Sequence, residues 1–260
     1  MTRIPVLMYH SVSDSEEYGG LPSSCRPIGY RLTVSGFEDH LAGLREGGWS
    51  TVSLAGLAAA REGRGELPGK PVVLTFDDGY ADNAQAVLPR LLACGFRATF
   101  FLSVSSLGEP GMMDFPAAAR LLDAGMEIGS HGMGHRLLSG LAEPALRWEL
   151  DESRRRLGDG LGTGIDFFSL PRGFLPPSLP ELARAAGYRG LCTSRPGFYT
   201  GRTDPFDIPR FPVRSRWGRR ELEGVLTGRG WDCRRIMAAE KIRSLLRRRF
   251  RFTVFAGQKR

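Results

Sequence analysis

The sequence predicts an α/β protein whose strands form a mainly parallel sheet, arranged as a (β/α) barrel. Three observations carry this. Short apolar, β-branched segments alternate with helical segments through most of the chain. The residues with chemical potential, His10, Asp77, Asp78, His131 and Pro171-Arg172-Gly173, all fall just past the C-terminal end of such a segment, the rim that carries the active site in parallel barrels. A length of 260 residues suits one barrel-sized domain with a substantial core.

Taken in order, Pro5 to Tyr9 reads as a strand, followed by a Gly-, Ser- and Pro-rich loop over 13–31. Ser35 is expected to cap a helix over about 36–46, with Glu38 completing a capping box. Trp49 to Val52 reads as a short strand, and Ser53 as the cap of a helix reaching residue 62. Val72 to Phe76 is a buried strand ending in Asp77-Asp78-Gly79. Further helices are expected at 82–92, 115–124, 144–157, 179–186 and 219–226. Further strands are expected at 97–102, 126–130, 165–170, 189–193 and 208–213. His40, mid-helix after Asp39, reads as a surface residue.

The four cysteines are dispersed, without a Cys-x-x-Cys pair, so neither a disulfide framework nor a zinc ribbon is indicated. No apolar run is long enough to span a bilayer, and residues 1–5 lack a signal-peptide layout, giving a cytoplasmic expectation. The net charge of +8 is concentrated in residues 241–260, which hold eight Lys and Arg and no acid. We therefore draw a barrel domain over 1–232 and a basic tail over 233–260. The tail reads as an exposed, solvated basic segment, as a phosphate-binding patch or, through its interleaved Leu and Phe, as an element for an anionic membrane surface at the cytoplasmic face, where a lipid-linked sugar would be met. No motif supports nucleic-acid binding.

Asp77 and Asp78 at the tip of a buried strand repel each other and lose hydration, which a bound cation would offset. His131 and His135, in Ser130-His131-Gly132-Met133-Gly134-His135, are spaced to reach one ion. With an Asp from another strand end they form a two-His, one-carboxylate set with open positions. The structural alternatives are an ordinary strand-to-helix turn with Asp78 or Asp82 as a cap, and a Pro-Gly turn at 171–173.

Thr75-Phe76-Asp77-Asp78-Gly79 followed by the His131–His135 loop resembles the polysaccharide deacetylases with the NodB homology domain, carbohydrate esterase family four. The resemblance covers residues 4–215 and implies that family's distorted (β/α) barrel. It implies Asp77 as general base and Asp78, His131 and His135 as ligands of a divalent metal, most often zinc, with cobalt, nickel or iron as alternatives. Phe167 to Gly173 resembles the family's third motif, with Pro171 and Gly173 at the substrate and the Arg172 N–H facing the oxyanion. Ser169 stands where the motif has an Arg that orients the base, so Asp77 is expected to lack that partner. Gly132 replaces a Ser or Thr. The family's C-terminal His is absent, and Tyr9-His10-Ser11-Val12 resembles the N-terminal signature of the circularly permuted branch, which implies His10 as general acid. Tyr199, in a Gly/Pro-rich stretch, is a candidate for stacking on a sugar.

The reading is a metal-dependent hydrolase removing N-acetyl groups from an amino sugar of a glycan or glycoconjugate. The alternatives are hydrolysis of another small amide, such as a cyclic ureide or imide, and a catalytically silent glycan-binding module.

Overall fold

The computed structural model describes residues 2–15, 27–231 and 233–239. The basic stretch 241–260, and with it the expected membrane contact, lies outside the described residues.

Strand β1 (Ile4–Tyr9) is buried throughout and pairs in parallel with β3 (Pro71–Phe76). From β3 the sheet continues in parallel through β4 (Thr99–Leu102), β5 (Glu127–Ser130), β6 (Phe167–Ser169) and β7 (Gly190–Cys192). Both faces are covered, so β1, β3 and β4 read as near-continuous apolar runs rather than alternating ones. The segment 208–212 then closes the circle. Ile208 bridges to Cys192 on β7, while β9 (Phe211–Pro212) pairs with Leu7 and Met8 on β1. A kinked crossing between two strands thus replaces a full last strand, which is the distortion in the barrel. Short β2 (Ser50–Thr51) pairs with β3 outside this path.

The helices α1 (Val34–Glu46), α2 (Leu54–Arg61), α3 (Leu88–Ala93), α4 (Phe115–Asp123), α5 (Glu143–Leu161), α6 (Leu179–Ala185) and α7 (Arg219–Thr227) follow the expected order. Ser53 caps α2, its Oγ accepting from the Gly56 N–H. The cap of α1 is Thr33, accepting from Gly36 N–H at 3.0 Å, in place of the expected Ser35. The helix expected from residue 82 begins instead as a π-turn over Asn83–Val87. Pro89 would clash with a carbonyl one turn earlier, and widening that turn relieves it.

Two large apolar clusters, and a small pair of Tyr80 and Met112, fill the described residues. The larger cluster joins the strands to the surrounding helices; the smaller contains Val6, Val73, Phe101 and Phe167 together with α2. The larger includes Cys233, with Ile236 and Met237 packed on it, so the folded body runs past the boundary expected at 232. His40 is fully buried, a correction to its expected surface position. It shares the apolar face of α1 with Phe37, Leu41 and Leu44. Its ring nitrogens meet Tyr9 Oη at 3.2 Å and the Trp217 carbonyl at 3.1 Å. Cys94, Cys192 and Cys233 are unpaired. No helix of the described residues is long and apolar enough to cross a membrane.

Candidate active site

The C-terminal ends of β1, β3, β5 and β6 deliver His10, Asp77-Asp78, His131-His135 and Pro171-Gly173 to one rim. Among the described residues only three non-glycines have positive φ: Asp78 at 78°, His135 at 52° and Arg172 at 57°. All three are predicted site residues. Each such conformation costs roughly 1–2 kcal/mol in an L-residue, and here it turns the chain sharply where side chains or N–H groups must face inward.

Asp78, His131 and His135 bring one carboxylate oxygen and two ring nitrogens together. Both Nε2 atoms lie 3.2 Å from Asp78 Oδ1. That oxygen is buried with no hydrogen-bond partner, while Oδ2 accepts from Tyr80 Oη at 2.7 Å. An orphaned, buried carboxylate oxygen flanked by two imidazoles is a donor set suited to a divalent cation. His131 Nδ1 sits 2.8 Å from the Ser169 carbonyl. A carbonyl only accepts, so Nδ1 carries the proton and the Nε2 lone pair is left for the ion. Burial would raise the Asp78 carboxyl; without an ion, protons on the facing His131 and His135 rings would take its place and hold the carboxyl well below the ordinary range.

The His loop has its own support. Glu149, fully buried on α5, accepts from the Met133 N–H at 2.7 Å and the Gly134 N–H at 3.4 Å. Ser130 Oγ accepts from the Gly132 N–H at 3.1 Å. A Cβ on residue 132 would stand 2.9 Å from Glu149 Oε2. Gly132 therefore makes room for the carboxylate that braces the loop, a supporting part unread in the sequence.

Asp77 corrects another expectation: it does not lack a guanidinium. Arg210, on the crossing segment that closes the barrel, reaches Oδ1 at 2.7 Å and Oδ2 at 2.8 Å. The same guanidinium donates to Ser169 Oγ at 2.7 Å, Thr75 Oγ1 at 3.1 Å and the Thr193 carbonyl at 3.0 Å. Ser169 Oγ in turn donates to Asp77 Oδ2 at 2.9 Å. The small Ser169 thus occupies the expected Arg position while the charge arrives from across the barrel. Burial pushes the Asp77 carboxyl up, Arg210 and His131 pull it down, and the net result lies below the ordinary value. The signal in the sequence was a single charged residue in the apolar run Ile208 to Val213.

His10 shares this electrostatic neighbourhood. Burial lowers its pKa, opposed by Asp78 and Asp77. Its carbonyl accepts from Asn83 Nδ2 at 2.9 Å, which fixes the end of β1 against the π-turn. Its ring packs on Tyr30, centroids 4.6 Å apart. Next to it Asp82 accepts from Ser11 Oγ at 2.6 Å, and burial raises its carboxyl to about 6.

Pro171 is buried, and a Cβ on Gly173 would lie 2.3 Å from Ser194 Oγ, so this turn admits only glycine there. Tyr199 is not at the rim. It is 5% exposed on β8 (Phe198–Tyr199), paired with Ile4 at the start of β1, the end opposite His10. Its ring fills the smaller apolar cluster instead of a cleft.

Residues 64–191 match the family model of polysaccharide deacetylases. The chain resembles the polysaccharide deacetylase family over this stretch, about half of its length. It is 27% identical to the polysaccharide deacetylase-type protein YxkH of Bacillus subtilis (strain 168) over 195 residues, 75% of this chain and 66% of that protein. It is 46% identical to the poly-beta-1,6-N-acetyl-D-glucosamine N-deacetylase of Escherichia coli (strain K12) over 62 residues, 24% of this chain and 9% of that enzyme. The chain thus spans less than two thirds of either relative. In fold it is similar to the Streptococcus pyogenes deacetylase PplD, with a TM-score of 0.77 at 19% identity over 86% of this chain and 98% of that one. For IcaB from Ammonifex degensii the TM-score is 0.70 at 24% identity, over 86% and 96% of the two chains.

Proposed function

We propose that the protein is a metal-dependent N-deacetylase acting on an N-acetylated amino sugar of a glycan or glycoconjugate. The observation that carries this reading is the orphaned Asp78 Oδ1 between two imidazoles, beside an Asp77 that Arg210 keeps ionised. The likeness to a poly-N-acetylglucosamine N-deacetylase supports the choice of amide.

Asp78, His131 and His135 would hold the ion, most simply zinc. When bound, it supplies the charge that polarises the acetamide carbonyl and makes water acidic at neutral pH. Asp77, one residue along the same turn, accepts the proton of the attacking water. Its guanidinium partner holds the carboxylate in one orientation and prevents it from swinging to the ion. The Arg172 N–H, turned by its left-handed conformation, stabilises the developing oxyanion, a task that needs no particular side chain. Pro171 and Gly173 shape that turn. His10 gives its proton to the departing amine, a step worth roughly 10²–10⁴-fold.

The test is acetate release from N-acetylglucosamine oligomers by zinc- and cobalt-loaded protein, beside Asp77→Asn. Release abolished in the variant, with metal retained, is the expected outcome. Metal-loaded wild type that releases no acetate from any N-acetyl sugar would overturn the reading.

A further inference from the structure

The catalytic parts above leave Arg214 without a task. It follows β9, whose parallel pairing to β1 sets it beside His10. The Ser215 N–H donates to the Gly29 carbonyl at 3.1 Å, tying this loop to the turn that carries Tyr30. The Arg214 guanidinium lies over the Tyr30 ring at 4.0 Å, and that ring packs on His10 at 4.6 Å. A guanidinium, an aromatic ring and the imidazole assigned as acid therefore lie in one continuous run, the imidazole tilted 38° against the ring.

Stacking engages only the face of a guanidinium. The N–H donors around its edge remain, in the fork that matches phosphate or carboxylate. Along the same stretch Arg195 pairs with Asp207, Arg210 with Asp77, and Arg219 with Glu46 and Glu223. Among the described residues Arg214 makes no ion pair, and neither do exposed Arg202 and Arg216. Exposed Arg136 and Arg172, each directly beside a site residue, are likewise without an acidic partner among the described residues. This is no overflow of a basic chain, since the +8 of the whole is accounted for by residues 241–260 and the remainder is neutral.

We infer that the substrate carries an oxyanion, phosphate or carboxylate, next to the amine that is released, and that Arg214 receives it. The inference rests on the deacetylase reading above. One aromatic ring separates the guanidinium from His10, so the anion lies about one sugar unit from the nitrogen that His10 protonates. A neutral glycan would offer only hydroxyls to these edge donors. A charged group supplies the stronger, two-point contact and competes best at low salt.

The experiment compares kcat/KM on three substrates: a neutral N-acetylglucosamine oligomer, N-acetylglucosamine 1-phosphate, and a disaccharide of N-acetylglucosamine with glucuronate. Wild type is expected to favour an anionic substrate over the neutral one by tenfold or more. In Arg214→Gln that ratio falls at least tenfold, and in Arg214→Lys it falls partway. The ratio is taken within each variant, so a loss of folded protein cancels. The better of the two anionic substrates identifies the source of the charge. A wild-type ratio near one, or one unchanged in Arg214→Gln, overturns the inference. Calorimetric binding of N-acetylglucosamine 1-phosphate to Asp77→Asn protein, with and without Arg214→Gln, separates the two readings. Arg214-dependent binding without acetate release from any substrate by wild type would sink the deacetylase reading and keep the anion site. Release without anion preference would sink the anion site alone.

Discussion

The two ends of the barrel strands treat their carboxylates in opposite ways. At the C-terminal end Asp77 and Asp78 are buried beside a guanidinium and two imidazoles, and both are held below the ordinary aspartate range. At the N-terminal end of β5, half-buried Glu127 accepts only neutral donors: the Leu54 and Ala55 N–H groups, each at 3.0 Å, and Thr99 Oγ1. Burial raises its carboxyl. Glu127 closes the start of α2 and is finished structurally. Asp77 and Asp78 stay charged, with one oxygen left for an ion. The difference teaches that partner charge, more than burial, separates a chemical carboxylate from a structural one.

The contrast can be broken most severely at Asp78. Asp78→Ala removes the oxygen shared by both imidazoles and is expected to lose bound metal and at least 10³-fold of acetate release. Metal content by mass spectrometry checks it, and a full complement of metal would refute the ligand set. Next is Arg210→Met, which strands a buried charge. A stability loss of roughly 3–5 kcal/mol is expected in denaturant titration. Without the guanidinium, burial raises the Asp77 pKa, so the acid limb of kcat/KM moves to higher pH. An unmoved limb would mean that Arg210 is only structural.

A third substitution, Glu149→Leu, touches neither the ion nor the substrate. Freed N–H groups at Met133 and Gly134 should loosen the His loop and weaken metal affinity about 10–100-fold in chelator competition. Smallest is Glu127→Gln, for which kcat/KM within about twofold of wild type is expected. Because the Glu127 pKa is raised by folding, its favourable contribution is full below the unfolded value and fades as pH rises. The variant should therefore gain on wild type between pH 4 and pH 8 in thermal midpoints. His40 supplies the opposite sign. Burial lowers its pKa, so stability is full above its ordinary value near 6.5 and drains as pH falls below it. His40→Gln should flatten that limb.

Much of this was legible in the chain. Strand ends could be found because buried parallel strands are apolar throughout and stop abruptly at polar residues, as Val72 to Asp78 does. Asp77, Asp78, His131 and His10 were visible for the same reason. Arg210 was not assigned, because its partnership with Asp77 exists only once the barrel closes. Tyr199 misled because a two-residue strand has too little pattern to oppose the turn signals around it. His40 was misjudged although its spacing from Phe37 and Leu44 placed it on the apolar face; the charged neighbour Asp39 outweighed that pattern.

The left-handed conformations of Asp78, His135 and Arg172 have a consequence for mutational drift. A glycine at any of these positions would relieve backbone strain, so stability alone favours replacing them. In the proposed mechanism the Asp78 and His135 side chains hold the ion, so selection for robustness and for chemistry would pull in opposite directions. Arg172 is different: its assigned role uses only the backbone N–H, which glycine would keep. Laboratory evolution for heat resistance alone should therefore accept Arg172→Gly readily, and Asp78→Gly or His135→Gly only in lineages freed from turnover.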